Sequence, residues 1–213
     1  MHIEKNICEN ILSTLLNIPN KTKDTIAARL DLEDRGIRKV LHLQEDTGNS
    51  SSKPKACYIL TPEAKKFLQF VSNVKVLDGY ASNISRCVNM EGGTMHGLKT
   101  HDCHILLQRI LPAGLRGLVH KDVYEVIAKL GRFFRQLCSK TLKVDALHQM
   151  KEDIVIILCK LEKIYPPAFF DVMVHLAVHL PDEALLRGPI QYGWMYPIER
   201  RLGTFKRFIR NKA

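Results

Sequence analysis

The chain has 213 residues, 46% of them hydrophobic and 25% charged, with a formal net charge of +10. That length holds one sizeable core or two small ones, and the balance is that of a globular protein rather than a disordered tail. No apolar run approaches the roughly 20 residues that span a bilayer, so a membrane protein is excluded and a soluble intracellular one is expected.

Residues 2–17 place Ile3, Ile7, Ile11 and Leu15 four apart with Cys8, Leu12 and Leu16 beside them, which predicts an amphipathic helix. Its charged residues Glu4, Lys5 and Glu9 are expected off the apolar face. A more polar helix is predicted over 22–35, closed by Gly36. Residues 46–56, with Gly48, Asn49, three Ser and Pro54 and little apolar content, read as a loop, and Tyr58 to Leu60 as a short extended stretch. Thr61 and Pro62 then look like the cap and first turn of a helix reaching about Val71.

Residues 72–98 carry no periodic run. A helix over 101–111 is expected to stop before Pro112, and longer amphipathic helices are predicted over 121–138 and 145–164, the second ended by Pro166 and Pro167. One apolar helix is predicted over 168–180, then a turn from Asp182 to Gln191. A last helix is predicted from about Pro197 to Arg210. The fold class is therefore mainly α.

Six cysteines stand singly with no Cys-x-x-Cys pair, and read as reduced, mostly buried thiols. His96, His101, Cys103 and His104 raise the question of zinc. Close neighbours on one helix do not converge, so a helix start with Asp102 in its first turn is the better reading. His175 and His179 have the spacing of a zincin helix, but Leu176 stands where the general-base glutamate would be. They read as core or interface residues, with a metal hydrolase as the remote alternative. Asp171, beside Phe169 and Phe170, is expected to satisfy backbone or an arginine in the core; burial raises its pKa unless a partner compensates.

The charge is concentrated at the C-terminal end, where residues 187–213 hold seven Lys and Arg against one Glu. Arg200, Arg201, Lys206, Arg207, Arg210 and Lys212 suit a phosphate backbone, bound by counterion release with little base discrimination. A solvated basic helix with no ligand is the competing reading.

Three stretches carry a resemblance to a known family: MHIEKNICENILSTLLN at 1–17, GLKTHDCHILLQRILP at 97–112, and 137–213 with PPAFFDVMVHLAVHLPDEALLRGPIQYGWMYPIERRLGTFKRFIRNKA. They resemble the transposase encoded by plant CACTA-type (En/Spm) elements, whose C-terminal part is the domain of unknown function number 4218.

The resemblance implies a nuclear, transposon-derived protein. It also implies a division into 1–112, a remnant of the transposase core with a helical insertion, and 121–213, the domain of unknown function. A ribonuclease-H-like sheet would lie mostly upstream. The family enzyme is expected to cut and join DNA with three acids holding two Mg or Mn ions. Glu199 is the candidate third acid. The other two are expected upstream of Met1, so the fragment is expected to lack catalysis, metal and cofactor on its own. DNA, the upstream transposase core and a second copy of the chain are the expected partners. The chain has Gly193 where the family usually has Arg. A domesticated nuclear interaction module, using the apolar face of 168–180 or the aromatic patch at Trp194 and Tyr196, is the alternative.

Overall fold

A computed structural model describes residues 2–45, 51–75 and 83–209. The fold is mainly helical. Helix α1, His2–Leu15, buries Ile7, Cys8, Ile11, Leu12 and Leu15 as its periodicity requires. Asn17 closes it in the left-handed region at φ 48°, and the Ile18 N–H reaches the Ser13 carbonyl at 2.8 Å. The inward face holds one unexpected residue, Glu4, only 2% exposed.

Helix α2 spans Ile26–Asp34 and starts later than its sequence suggests. The Thr25 hydroxyl accepts from the Ala28 N–H and makes the cap, while Asp24 turns inward to meet Arg29. Gly36, at φ 63°, ends the helix as expected. Two pairings of two residues each follow: β1 (Gln44–Glu45) lies antiparallel to β2 (Ser51–Ser52), and β3 (Val88–Asn89) antiparallel to β4 (Thr94–Met95). The expected loop at 46–56 is thus extended at Ser51–Ser52 and irregular over 53–56, and its residues 46–50 lie outside those described, as do 76–82 of the irregular stretch.

Helix α3 is Ala64–Asn73; residues 61–63 form a turn, so the start expected at Thr61 moves to Ala64. Tyr58 and Leu60 are fully buried, and the Leu60 N–H donates to the last carbonyl of α1, Leu15, at 2.9 Å.

The predicted stop before Pro112 is wrong, and the reason is local. Helix α4, Thr100–Ile105, runs into a wide turn over Leu106–Ile110, and α5, Leu111–Gly114, continues through Pro112. In the wide turn the Leu111 N–H donates to the Leu106 carbonyl, five residues back. That shift widens the helix ahead of the proline, which lacks an N–H and would crowd a regular turn. The turn packs on α6, Lys121–Leu137, where a β-carbon on Gly131 would sit 2.5 Å from the Leu107 carbonyl oxygen.

Helix α7, Val144–Ile164, packs along α6. Past its end, Arg38, itself at φ 53°, donates to the carbonyls of Glu162 and Tyr165 and satisfies acceptors that a helix terminus leaves open.

The single apolar helix expected over 168–180 is broken. Pro167–Phe169 is a tight turn, Asp171 caps the short α8, Val172–Leu176, and Ala177–His179 is a second tight turn. The next helix, α9, is Leu180–Arg187 with Pro181 in its first turn, so most of the predicted turn from Asp182 is helical. Helix α10 is Tyr196–Phe208.

Helix α1 packs against α4 and α8, and α7 against α9. One cluster of buried side chains runs from Ile7 on α1 to Ala184 on α9. Each fully buried Leu, Ile or Phe in it is worth about 1.5–3 kcal/mol. Among the described side chains, α10 adds none to that cluster.

Candidate functional site

The buried Glu4 on α1 gathers three side chains from other elements. Its Oε2 lies 2.8 Å from Nδ1 of His104 on α4, and its Oε1 accepts from Nε2 of Gln108, in the wide turn, at 2.9 Å. The Gln108 amide nitrogen also stands 3.0 Å from His104 Nδ1. Cys138, the residue that caps α6, completes the group: ligand atoms of Glu4, His104 and Cys138 all lie within 4.8 Å of one another. Trp194 presents its ring edge-on to His104, with centroids 6.0 Å apart.

Burial, and then the Glu4 carboxylate, push the Cys138 thiol up to about 12. A thiol held protonated in this way is a weak nucleophile. The donors present, one sulfur, one imidazole nitrogen and one carboxylate oxygen, are those of a borderline-soft divalent ion.

Sequence reasoning missed this group because its members lie far apart in the chain and Glu4 was set aside for its charge. The signal was present, since Glu4 precedes Ile7 by three residues, Cys8 by four and Ile11 by seven. That spacing puts it on the apolar face.

The histidines and cysteine considered at 96–104 do not converge. His96 bonds the Thr94 hydroxyl at 2.8 Å, Cys103 is buried beside Cys8, and His104 points to Glu4. The helix-start reading fits instead: Asp102 Oδ2 accepts from the Lys99 N–H at 2.9 Å. His175 and His179 are neighbours, with ring centroids 5.3 Å apart, but both are exposed rather than in the core. All six cysteines are free, with Cys8, Cys87 and Cys103 buried and Cys57 and Cys159 exposed.

Asp171 caps α8 by accepting from the Met173 and Val174 N–H groups at 3.1 and 3.2 Å. Its other oxygen takes Asn10 at 2.9 Å and Lys23 at 3.2 Å, so its charged partner is a lysine rather than the expected arginine. Burial alone would raise its pKa. The bonds from Asn10, the Val174 N–H and Lys23 outweigh that and lower it.

Glu199 lies exposed in the first turn of α10. Among the described residues the metal-ligating group found is the one at Glu4, and Glu199 is not in it. Two-metal chemistry needs several convergent oxygen donors, which these residues do not supply around Glu199. Arg201, Lys206 and Arg207 are exposed on the same helix; the Tyr196 and Arg200 side chains, Arg210 and Lys212 lie outside the described residues. Ile198, Leu202, Phe205 and Ile209 form an apolar stripe at helical spacing, each at least half exposed. Gly193, just ahead of α10, has open space where a side chain would project. Among the described residues no helix is long and apolar enough to cross a membrane.

Residues 137–213 match the model of a family described as Domain of unknown function (DUF4218). The match runs from the last residue of α6 through α7, α8, α9 and α10. No curated protein and no solved structure matches the chain.

Proposed function

We propose that the chain is a transposase-derived helical module that binds nucleic acid in the nucleus through α10 and does not cut it. The observation that carries this reading is the exposure of Arg201, Lys206 and Arg207 on a helix none of whose described side chains joins the core. Such a helix is about 20 Å long, at 1.5 Å per residue, enough to follow several phosphates. Arg201, Lys206 and Arg207 are exposed and so available to a phosphate backbone. The resemblance of 1–17, 97–112 and 137–213 to the CACTA-type transposase supports a DNA context. Glu199, standing apart from other metal-ligating side chains among the described residues, supports binding without cleavage.

The test uses two unrelated duplexes of equal length. Equal affinity for both, with no nicking in magnesium or manganese, supports the reading. A strong preference for one sequence, or nicking lost in Glu199→Gln, contradicts it.

A second reading rests on the apolar stripe of Ile198, Leu202, Phe205 and Ile209, which a soluble monomer gains nothing by exposing. The stripe packs against a protein partner, either an upstream transposase core or a second copy. Sedimentation at increasing concentration distinguishes the second copy, which alone gives a mass that doubles.

A further inference from the structure

Nδ1 of His104 has two close polar neighbours, Glu4 Oε2 at 2.8 Å and Gln108 Nε2 at 3.0 Å, and the same Gln108 nitrogen donates to Glu4 Oε1 at 2.9 Å. If Nδ1 carries its proton it donates to one Glu4 oxygen while the neighbouring Gln108 amide donates to the other. If Nδ1 is bare it accepts from Gln108 but stands 2.8 Å from a carboxylate oxygen that is also an acceptor. The bare imidazole, the form that ligates a metal, therefore needs a cation between itself and the carboxylate, which is almost wholly buried, where repulsion between two acceptors is poorly screened.

We propose that Glu4, His104 and Cys138 bind a zinc(II) ion, through one carboxylate oxygen, the His104 Nδ1 and the Cys138 sulfur. A fourth place remains for water or for the Gln108 amide oxygen after a flip of that side chain. The ion takes the bare Nδ1 and the carboxylate together, which removes the repulsion. Binding releases the Cys138 thiol proton to solvent, so two negative ligands offset the doubly charged ion and the buried site carries no net charge. Ligand atoms in tetrahedral zinc sites are roughly 3.3–3.7 Å apart, given bonds of 2.0–2.3 Å. The Glu4 and His104 atoms must therefore part by about half an ångström, within reach of two side-chain torsions.

Sulfur and nitrogen donors select zinc over magnesium or calcium, which favour oxygen alone. The ligands come from α1, α4 and the end of α6, so the ion ties the first helix to the centre of the bundle. The site is independent of α10 and of nucleic-acid binding.

Cobalt(II) reads this site directly. The full chain is stripped with chelator, reduced, and titrated with cobalt(II) alone, following the thiolate-to-cobalt charge-transfer band and the visible bands of a tetrahedral ion. Saturation at one equivalent and displacement by zinc are expected. The charge-transfer band should vanish in Cys138→Ser and persist when the exposed thiols are removed in Cys57→Ser with Cys159→Ser. Circular dichroism of the apo Cys138→Ser protein confirms that it folds. Should it not fold, Glu4→Gln serves in its place, with the charge-transfer band kept and zinc no longer held at one equivalent after dialysis. No band at one equivalent, a band that survives Cys138→Ser, or one abolished by removing the exposed thiols overturns the assignment.

Discussion

Arg29 and Asp24 meet with neither side chain exposed, the guanidinium donating from Nε at 2.5 Å and from Nη2 at 2.8 Å to the two carboxylate oxygens. Nη1 also donates to the Leu41 carbonyl at 2.8 Å, and Nη2 reaches the Pro54 carbonyl at 3.4 Å. The pair thus joins α2 to the segment before β1.

Removing one partner leaves a buried charge with nothing opposite it. Arg29→Met is expected to lower stability by about 3–5 kcal/mol, read from urea unfolding. Adding Asp24→Leu recovers part of the loss, because the unpaired carboxylate goes too; the Leu41 carbonyl still lacks its donor. A double variant no better than the single one contradicts this explanation of the pair.

At Gly131 the chain itself is the obstacle. An added β-carbon would stand 2.5 Å from the Leu107 carbonyl oxygen, and backbone yields less readily than a side chain. Gly131→Ala is therefore expected to cost roughly 1–3 kcal/mol, although alanine is the better helix former. Gly193→Ala, which meets open space, is expected to change stability by less than about 0.5 kcal/mol. Thermal unfolding of the two variants side by side makes the comparison.

Asp171 gives a pH signature whose sign is fixed. Its folded carboxyl lies below the ordinary 3.8, so the folded state holds the ionised form more firmly than the unfolded chain does. The resulting stability is fully present above the unfolded value and is lost as pH falls through the depressed folded one. Asp171→Ala should cost on the order of 1 kcal/mol at neutral pH, as for other helix caps. Urea unfolding at stepped pH should show the gap to wild type closing only below about pH 4. A gap that stays constant into acid contradicts the role given to the carboxylate.

Helix α10 should be separable from the fold. Leu202→Ser with Phe205→Ser removes two apolar side chains that are more than half exposed and lie outside the buried cluster. The melting temperature is expected to stay unchanged while any concentration-dependent association falls. A large drop in melting temperature means that the stripe is packed in solution.

Much of the helical framework was legible in the sequence. The four-residue spacing in α1 and the alternation of apolar and charged residues in α6 and α7 placed these helices to within a residue or two at their ends. One miss comes from a local widening of the helix and the other two from tertiary bonds overriding a local rule. Pro112 reads as a stop, yet the wide turn at Leu106–Ile110 lets the helix pass. Residues 168–180 read as one apolar run, yet Asp171 finds Asn10 and Lys23 on the other side of the chain and breaks it. Glu4 reads as solvent-facing because it is charged, and only its bonding to His104 and Gln108, a hundred residues on, explains its burial.

Nucleic-acid binding by the exposed cations of α10 stands or falls on the salt dependence of duplex affinity, measured by fluorescence anisotropy. The full chain is compared with Arg201→Gln, Lys206→Gln and Arg207→Gln combined. Log affinity should fall linearly with log salt, with a slope shallower in the triple variant by up to about 0.9 for each phosphate left unneutralised. A wild-type line that is flat, or a slope that the triple variant leaves unchanged, is incompatible with binding through α10.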